Sequence, residues 1–419
     1  MRFELPDGLP YGWTYRLLAT VCSRITSGGT PSRRVKEYFG GNVNWVKTQE
    51  LLDRKLVDTE EKITVSGLNN SSAKLLPENT VLLAMYGATV GRLGILEKES
   101  TCNQACCAFI CDPKQSDYRF LFYVLLGNRT NIIGLASGAA QQNLSGQQLK
   151  LVELAFPPLA LQKNIANVLA SIDDRIDHNR ALAANLEAIA RRLFKSWFVD
   201  FDPVRAKAAG EKPSGLADDI AALFPNRFVE SELGEIPEGW HDGRLSDLVE
   251  LKYGKALKAA ERREGKVPVY GSGGITGWHD ETLVKHPTVI VGRKGSVGTL
   301  YWEDRPSYPI DTAFFVTTKK APLTFCYYAM LGLGLDGLNT DAAVPGLNRD
   351  NAYRQAVVIP PPALLAAWDS FAGVLREKLR LLRDESNVMT QLRDLLLPRL
   401  ISGKLRVKDA VSLIEETVA

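Results

Sequence analysis

The sequence predicts an α+β chain with a pseudo-two-fold internal repeat, in which two globular α/β-type units are separated by two long helices forming an antiparallel coiled coil. Three observations lead there. The chain matches itself at an offset of 205 residues. Each copy opens with a glycine-rich stretch of short β-type runs and turns. After each copy's proline cluster the apolar period changes to that of a single long helix.

The repeat sets the order of the elements. Phe120-Leu-Phe-Tyr-Val-Leu-Leu-Gly127 lies over Phe325-Cys-Tyr-Tyr-Ala-Met-Leu-Gly332, Ala108-Phe109 over Ala313-Phe314, and Asn143 over Asn348, all in one register. With small gaps, Gly87-Ala-Thr-Val-Gly91 answers Gly295-Ser-Val-Gly298, and Phe156-Pro-Pro158 answers Ile359-Pro-Pro-Pro362. This gives a first globular unit over 1–160, a helix over 161–205, a linker over 206–235, a second unit over 236–362, a helix over 363–403 and a tail over 404–419. Within the units, Val81–Tyr86 and Thr288–Val291 read as strands and Phe120–Leu126 as a helix.

The helical seams alternate three- and four-residue steps. Ile165, Val168, Ile172, Leu182, Leu186, Ile189 and Leu193 form the first, interrupted at Arg175 and Asn179. Leu364, Trp368, Phe371, Leu375, Leu382, Met389, Leu392 and Leu396 form the second, interrupted at Lys378 and Glu385. Seams this narrow and sustained need a helical partner. At 1.5 Å per residue a helix of ~35 residues spans about 50 Å.

Composition excludes several classes. A chain of 419 residues exceeds the size of one core, and 45% hydrophobic with 24% charged residues is the balance of an ordinary water-soluble protein. No apolar run reaches the roughly 18 residues of a membrane span, and Met1–Gly12 lacks the apolar core of a secretory signal, so a cytoplasmic location without membrane contact is expected. Cys102, Cys106, Cys107 and Cys111 lack zinc-type pairs and read as small buried hydrophobes, with Cys102 and Cys106 on one face of a strand and Cys107 and Cys111 on the other. Gly332-Leu-Gly-Leu-Asp-Gly337 follows a helix where a dinucleotide fingerprint needs a strand, and no glycine-lysine pair is followed by Ser or Thr as in a P-loop. A metal site and a nucleotide-binding enzyme are therefore not expected.

Several of these segments resemble the specificity subunits of type I restriction-modification systems, and the resemblance covers essentially the whole chain. Ser27-Gly-Gly-Thr-Pro-Ser-Arg33, the Val81–Arg92 stretch and Asn103-Gln104 are similar to a first target-recognition domain of that family. Pro268–Gly274, Gly292–Gly298 and Ile310–Phe314 are similar to a second, and Leu193–Pro203 and Leu395–Gly403 to the family's helical regions. The resemblance implies a non-catalytic subunit whose recognition domains each read one half of a bipartite site in double-stranded DNA. It also implies that two modification (methyltransferase) subunits dock on the helices and that restriction (motor and nuclease) subunits join in complexes that cleave. No cofactor is expected in this chain, and S-adenosylmethionine is expected in the methyltransferase subunit. A coiled-coil scaffold that does not read DNA would explain the helices but not two matched units with basic, glycine-rich loops.

Reading DNA takes phosphate contacts that position and side chains that reach base edges. In the first unit Gly28 and Gly29 are read as letting backbone amides approach a phosphate. Thr30, Arg33, Arg34, Lys36, Lys47, Thr48, Gln49, Tyr86 and Arg92 are candidates, with Gln141, Gln142 and Asn143 as a polar cluster suited to adenine edges. In the second unit Lys255, Lys258, Arg262 and Arg263 fall in a run of six cations against two acids, Tyr270 and Ser272 lie on a glycine-rich stretch, and Arg293 and Lys294 occupy a tight turn. Arg293 is the foremost candidate for base reading, because arginine on guanine is the commonest specific contact. Phe194, Trp197, Phe198 and Phe201 are candidates for a partner interface, with a local core as the competing role.

Overall fold

The computed structural model describes residues 1–136, 143–338 and 346–418. The chain forms two compact units, one of Met1–Asn179 with Glu385–Ala419 and the other of Arg180–Asp384. Gln141 and Gln142 lie outside the described residues.

In the first unit Cys22–Ser27, Cys106–Cys111, Val81–Ala84, Leu93–Leu96 and Arg54–Leu56 lie side by side in that order in one five-stranded sheet. Period-two alternation splits its side chains between two faces. Val81, Leu83, Cys107 and Phe109 join the larger core, while Leu82, Ala84, Cys106 and Ala108 join a second, smaller one. Both faces are covered, which is why these strands are apolar throughout. The helix Tyr118–Gly127 supplies Phe120, Leu121 and Leu125 to the larger core, and its first turn is held by the Asp117 carboxylate, which accepts from the amides of Arg119 and Phe120.

The expected faces of the cysteines are found, but on two strands instead of one. Cys102 belongs to Thr101–Cys102, which pairs parallel with Phe39–Val46 in a separate three-stranded sheet. The turn at Asn103–Ala105 divides what the spacing suggested was continuous.

The second unit repeats this topology. Val249–Tyr253, Ala313–Thr318, Thr288–Gly292 and Leu300–Glu303 form a four-stranded sheet in that order. A three-stranded sheet again contains one parallel pair, Val267–Gly271 with Tyr308–Pro309. Each unit also pairs its opening strand antiparallel with the strand before its proline cluster, Thr14–Leu17 with Glu153–Phe156 and His241–Arg244 with Ala356–Ile359. One residue match shifts. Asn348 caps the helix Arg349–Tyr353 through its side chain, and the residue that does this in the first unit is Ser145, capping Gly146–Lys150, two positions beyond Asn143.

The long helices run Leu159–Phe198 and Pro362–Ile401, 40 residues each. In the first unit Asp173 pairs with Arg393 at 2.8 Å and Arg175 with Glu385 at 2.7 Å, so the two segments run antiparallel. Arg175 and Glu385 are polar interruptions of the two seams, and they answer each other. In the second unit Glu187 pairs with Arg376 at 2.6 Å, and the Phe194 ring meets Trp368 at 5.2 Å, again antiparallel. The first helix stops before Phe201, whose φ of 57° is left-handed, and Asp202–Ala208 forms a short helix of its own. Between the repeats Phe224 is buried in the core of the second unit, and the C-terminal residues form the helix Val407–Val418, with Ala410 buried in the first.

Trp368 is fully buried and contacts Phe194, Trp197, Phe198 and Tyr328. Trp368→Ala is expected to destabilise the second unit by about 3–5 kcal/mol, read as a lower urea midpoint for the transition that reports on it.

Candidate nucleic-acid interface

Loops that are far apart in sequence are tied together in the same way in both units. Where the strand Cys22–Ser27 ends, Gly28 donates its amide to the Cys106 carbonyl at 3.3 Å and Gly29 to that of Cys102 at 2.9 Å. Met85 donates to Ala105 at 2.8 Å and accepts from Leu144 at 2.9 Å, which sets Tyr86 opposite Asn143 in a backbone bridge. In the second unit Gly254 donates to Ala313 and Lys255 to Pro309, both at 3.1 Å. Arg293 donates to Thr312 at 2.9 Å and accepts from Leu347 at 2.8 Å, which sets Lys294 opposite Gly346. Tyr86 and Lys294 thus hold one and the same position, and both are exposed.

Glycine is required where the loop leaves the first strand. A Cβ on Gly28 would sit 2.0 Å from the Cys102 carbonyl oxygen, and one on Gly254 would sit 2.2 Å from that of Ile310. This corrects the reading of Gly28 and Gly29 as a phosphate cradle: both amides already donate to backbone carbonyls, and the missing side chains serve close passage of the chain. Further along, the Gly292–Gly298 turn is closed by the Gly298 amide on the Gly292 carbonyl at 2.8 Å, with Gly295 and Gly298 at φ of 85° and 71°.

The candidate cations divide by partner. The Arg33 guanidinium grips the Glu61 carboxylate with both nitrogens and lies 4.3 Å from the Phe39 ring centroid and 5.0 Å from that of Trp45. Its hydrogen bonds hold the Glu61 carboxyl below the usual range against the opposing effect of burial. Lys47 sits 2.9 Å from Glu60, Arg92 shares Asp53 with Arg129, and the Thr30 hydroxyl meets the Gln104 side chain. Arg34 and Lys36 are exposed and carry no ion pair among the described residues, and Thr48 and Gln49 lie in the short turn Thr48–Glu50.

In the second unit Arg293 is half-buried, donating to the Asp311 carbonyl at 2.9 Å and lying 4.8 Å from the centroid of Tyr253. Arg349 lies over the same ring at 5.2 Å, so two guanidinium groups meet one half-exposed tyrosine. Lys255 and Lys294 are exposed without an ion pair among the described residues. Ser272 is half-buried and its carbonyl accepts from the Thr299 hydroxyl at 2.6 Å.

The run of cations before Tyr270 is less positive than its local sequence implies. Arg263 is taken by Asp280 and Glu281, Arg262 donates to the Thr276 carbonyl, and Lys252 faces Glu250. Lys258 is exposed, 4.0 Å from Glu261. Tyr270 itself is buried, its hydroxyl donating to Glu303 at 2.8 Å. Burial and the adjacent carboxylate raise its pKa, while Arg305 at 2.9 Å helps hold Glu303 below the ordinary carboxylate value despite burial. Tyr270 supports this surface from beneath and does not present its ring at it.

The aromatics proposed as a partner interface are core. Phe194, Trp197, Phe198 and Phe201 are 5–8% exposed and pack with Trp240, Phe325 and Trp368 of the same unit. This chain's own side chains cover their faces.

Sequence reasoning missed Gln104 as a contact of Thr30, Lys74 on the Ser27 carbonyl, Arg129 on Asp53, and the Tyr253–Arg349 pair. Only Tyr253 had a local signal, since Tyr253-Gly254 stands where Ser27-Gly28 stands. Among the described residues no cluster of His, Cys, Asp or Glu is placed to hold a metal, and burial pushes the Cys107 and Cys326 thiols up to about 12.

A duplicated α+β unit with the same tied loops in each copy defines an internally repeated, two-domain protein. The type I restriction modification DNA specificity domain matches residues 10–188 and 237–344, and the chain belongs to that family. The chain is 25% identical to the type I restriction enzyme MjaIX specificity subunit of Methanocaldococcus jannaschii, over 96% of this chain and 95% of that one. It is 22% identical to the HindI specificity subunit of Haemophilus influenzae, over 90% and 98%. The crystal structure of the type I S subunit from M. genitalium shares the fold, with a TM-score of 0.56 and 22% identity over 95% of this chain and 98% of that one. No helix among the described residues is long and apolar enough to cross a membrane.

Gly28→Ala and Gly254→Ala are each expected to lower the stability of their own unit by about 1–3 kcal/mol through forced displacement of backbone. Gly146→Ala, where a Cβ meets open space, is the neutral control. Urea midpoints of the three variants check this.

Proposed function

We propose that this chain is the sequence-reading subunit of a type I restriction-modification complex and that each unit reads one half of a bipartite DNA site. The observation that carries this reading is the same set of tied loops in both units, presenting Tyr86 in one and Lys255 and Lys294 in the other. Exposed lysines supply phosphate contacts whose strength falls with salt, and the neighbouring loops carry the side chains that differ between the units. Arg293, held by Asp311 and the Tyr253 ring, is pre-positioned for a guanine edge. Arg34, Lys36, Thr48 and Gln49 are the corresponding surface candidates of the first unit, and Arg33, Lys47 and Arg92 reach DNA only on exchanging their acidic partners for phosphate.

In this reading the chain does no chemistry. Methyl transfer, with S-adenosylmethionine, belongs to two modification subunits, and cleavage, where it occurs, to restriction subunits. A surface for the modification subunits is supplied by the second long helix, where Val374, Leu381, Val388 and Leu395 recur at seven-residue steps and are 44–71% exposed. An apolar row at that spacing suits a further helix.

Three experiments test this. The chain is co-expressed with its modification subunit and methylated sites are mapped, after which residues 236–362 are replaced by the matching segment of a related subunit. One half of the bipartite motif is expected to change, and change in both halves or in neither overturns the assignment. Lys294→Ala is expected to weaken DNA binding by the complex and reduce the slope of log affinity against log salt by about 1. Leu381→Asp with Leu395→Asp is expected to abolish co-purification of the modification subunit while leaving the helical content of the free chain unchanged.

A further inference from the structure

In each unit a half-buried ionic triad ties the two long helices to a tyrosine, and the two triads carry their charges in opposite order. In the first unit the Tyr123 hydroxyl donates to Asp173 at 2.6 Å, and Arg393 grips the same carboxylate at 2.8 Å. In the second unit Arg376 donates to the Tyr328 hydroxyl and to Glu187, the latter at 2.6 Å. Tyr123 and Tyr328 are the same residue of the repeat. Asp173 and Arg376 also correspond, each being the fifteenth residue of its helix. The repeat therefore conserves the tyrosine and reverses the sign beneath it.

The reversal leaves both acids, Asp173 and Glu187, on the first long helix and both arginines, Arg376 and Arg393, on the second. The four side chains are only 11–22% exposed, so each charge depends on its partner. Burial pushes the Asp173 carboxyl above its ordinary value, with Arg393 and Tyr123 opposing. Apart from the triads and the more exposed Arg175–Glu385 pair, the two helices are amphipathic rods of one length, and nothing in an apolar seam prevents like helices from pairing. In an antiparallel pair of two first helices, the residue replacing Arg376 opposite Glu187 is Asp173 of the other copy. In a pair of two second helices, the residue replacing Asp173 opposite Arg393 is Arg376 of the other copy. Each like pairing sets two half-buried like charges together at both triads.

We propose that this partition of sign makes the two long helices select each other and reject a second copy of themselves, so that a chain or complex always holds one unit of each kind. The selection is independent of what the units bind. It is a difference between pairings and not added strength, since swapping both members of one triad keeps the ion pair between the two helices.

The full chain tests this when a protease site is placed in the exposed stretch 208–212 and cut after folding, which removes the tether but no residue. The two pieces are cycled through urea and their pairings counted by native mass spectrometry. The unsubstituted protein is expected to return only unlike pairs. Asp173→Arg with Arg393→Glu reverses the first triad, gives it the order of the second, and makes each helix complementary to itself. Like pairs are then expected to rise toward the statistical limit of about half of all pairs. Glu187→Arg with Arg376→Glu is expected to do the same from the other triad, and all four substitutions together restore unlike pairing alone. The proposal is overturned if the unsubstituted pieces form like pairs freely, or if both double variants remain as selective as the quadruple one. Failure of both double variants to refold also overturns it, because the two charge orders would not be interchangeable.

Discussion

The core of the first unit is closed by Met389, Leu392, Leu396, Leu400 and Ile401, all on the second long helix. The core of the second is closed by Ala190, Phe194, Trp197 and Phe198, all on the first. Each repeat thus lends the end of its helix to the other repeat's unit. A single repeat would leave an apolar face uncovered, at a cost of about 25 cal/mol for each Å² exposed. This exchange accounts for the antiparallel pairing, the length of the helices and the burial of the aromatic cluster at the end of the first. The same dependence explains why the four aromatics misled as a partner surface: they do meet the other repeat, but inside one chain.

Much of the architecture was legible because it repeats. The helix Tyr118–Gly127, the strands at Val81 and Thr288 and both long helices follow from period and self-similarity. Even the polar interruptions of the two seams were in view, and the Arg175–Glu385 pair shows that they match. The offset failed where loops differ in length, so that Asn143 was set against Asn348 when Ser145 holds the equivalent cap.

The candidate interface was legible only in part, because its geometry is made by backbone hydrogen bonds between residues far apart in sequence. Glycines at 28 and 29 look like an anion loop until their amides are found on Cys106 and Cys102. A dense run of arginine and lysine looks free until Asp280 and Glu281, just past the strand Gly274–His279, take Arg263. Periodicity predicts burial well, but the partner of a surface charge is a tertiary fact with no local signature. Tyr86 and Lys294 differ in residue type, and although the glycine-valine-glycine stretches that follow them match, it is the bridges to Asn143 and Gly346 that set them in one position.

The lending of helix ends also orders events in time. The N-terminal unit emerges during synthesis without Leu396, Leu400 and Ala410, which follow the strands of the second unit in the chain. It must wait, incompletely packed, until the second long helix has been made, whereas the second unit has its borrowed aromatics ready before its own strands appear. A premature stop within the second long helix would therefore damage the part of the molecule made first.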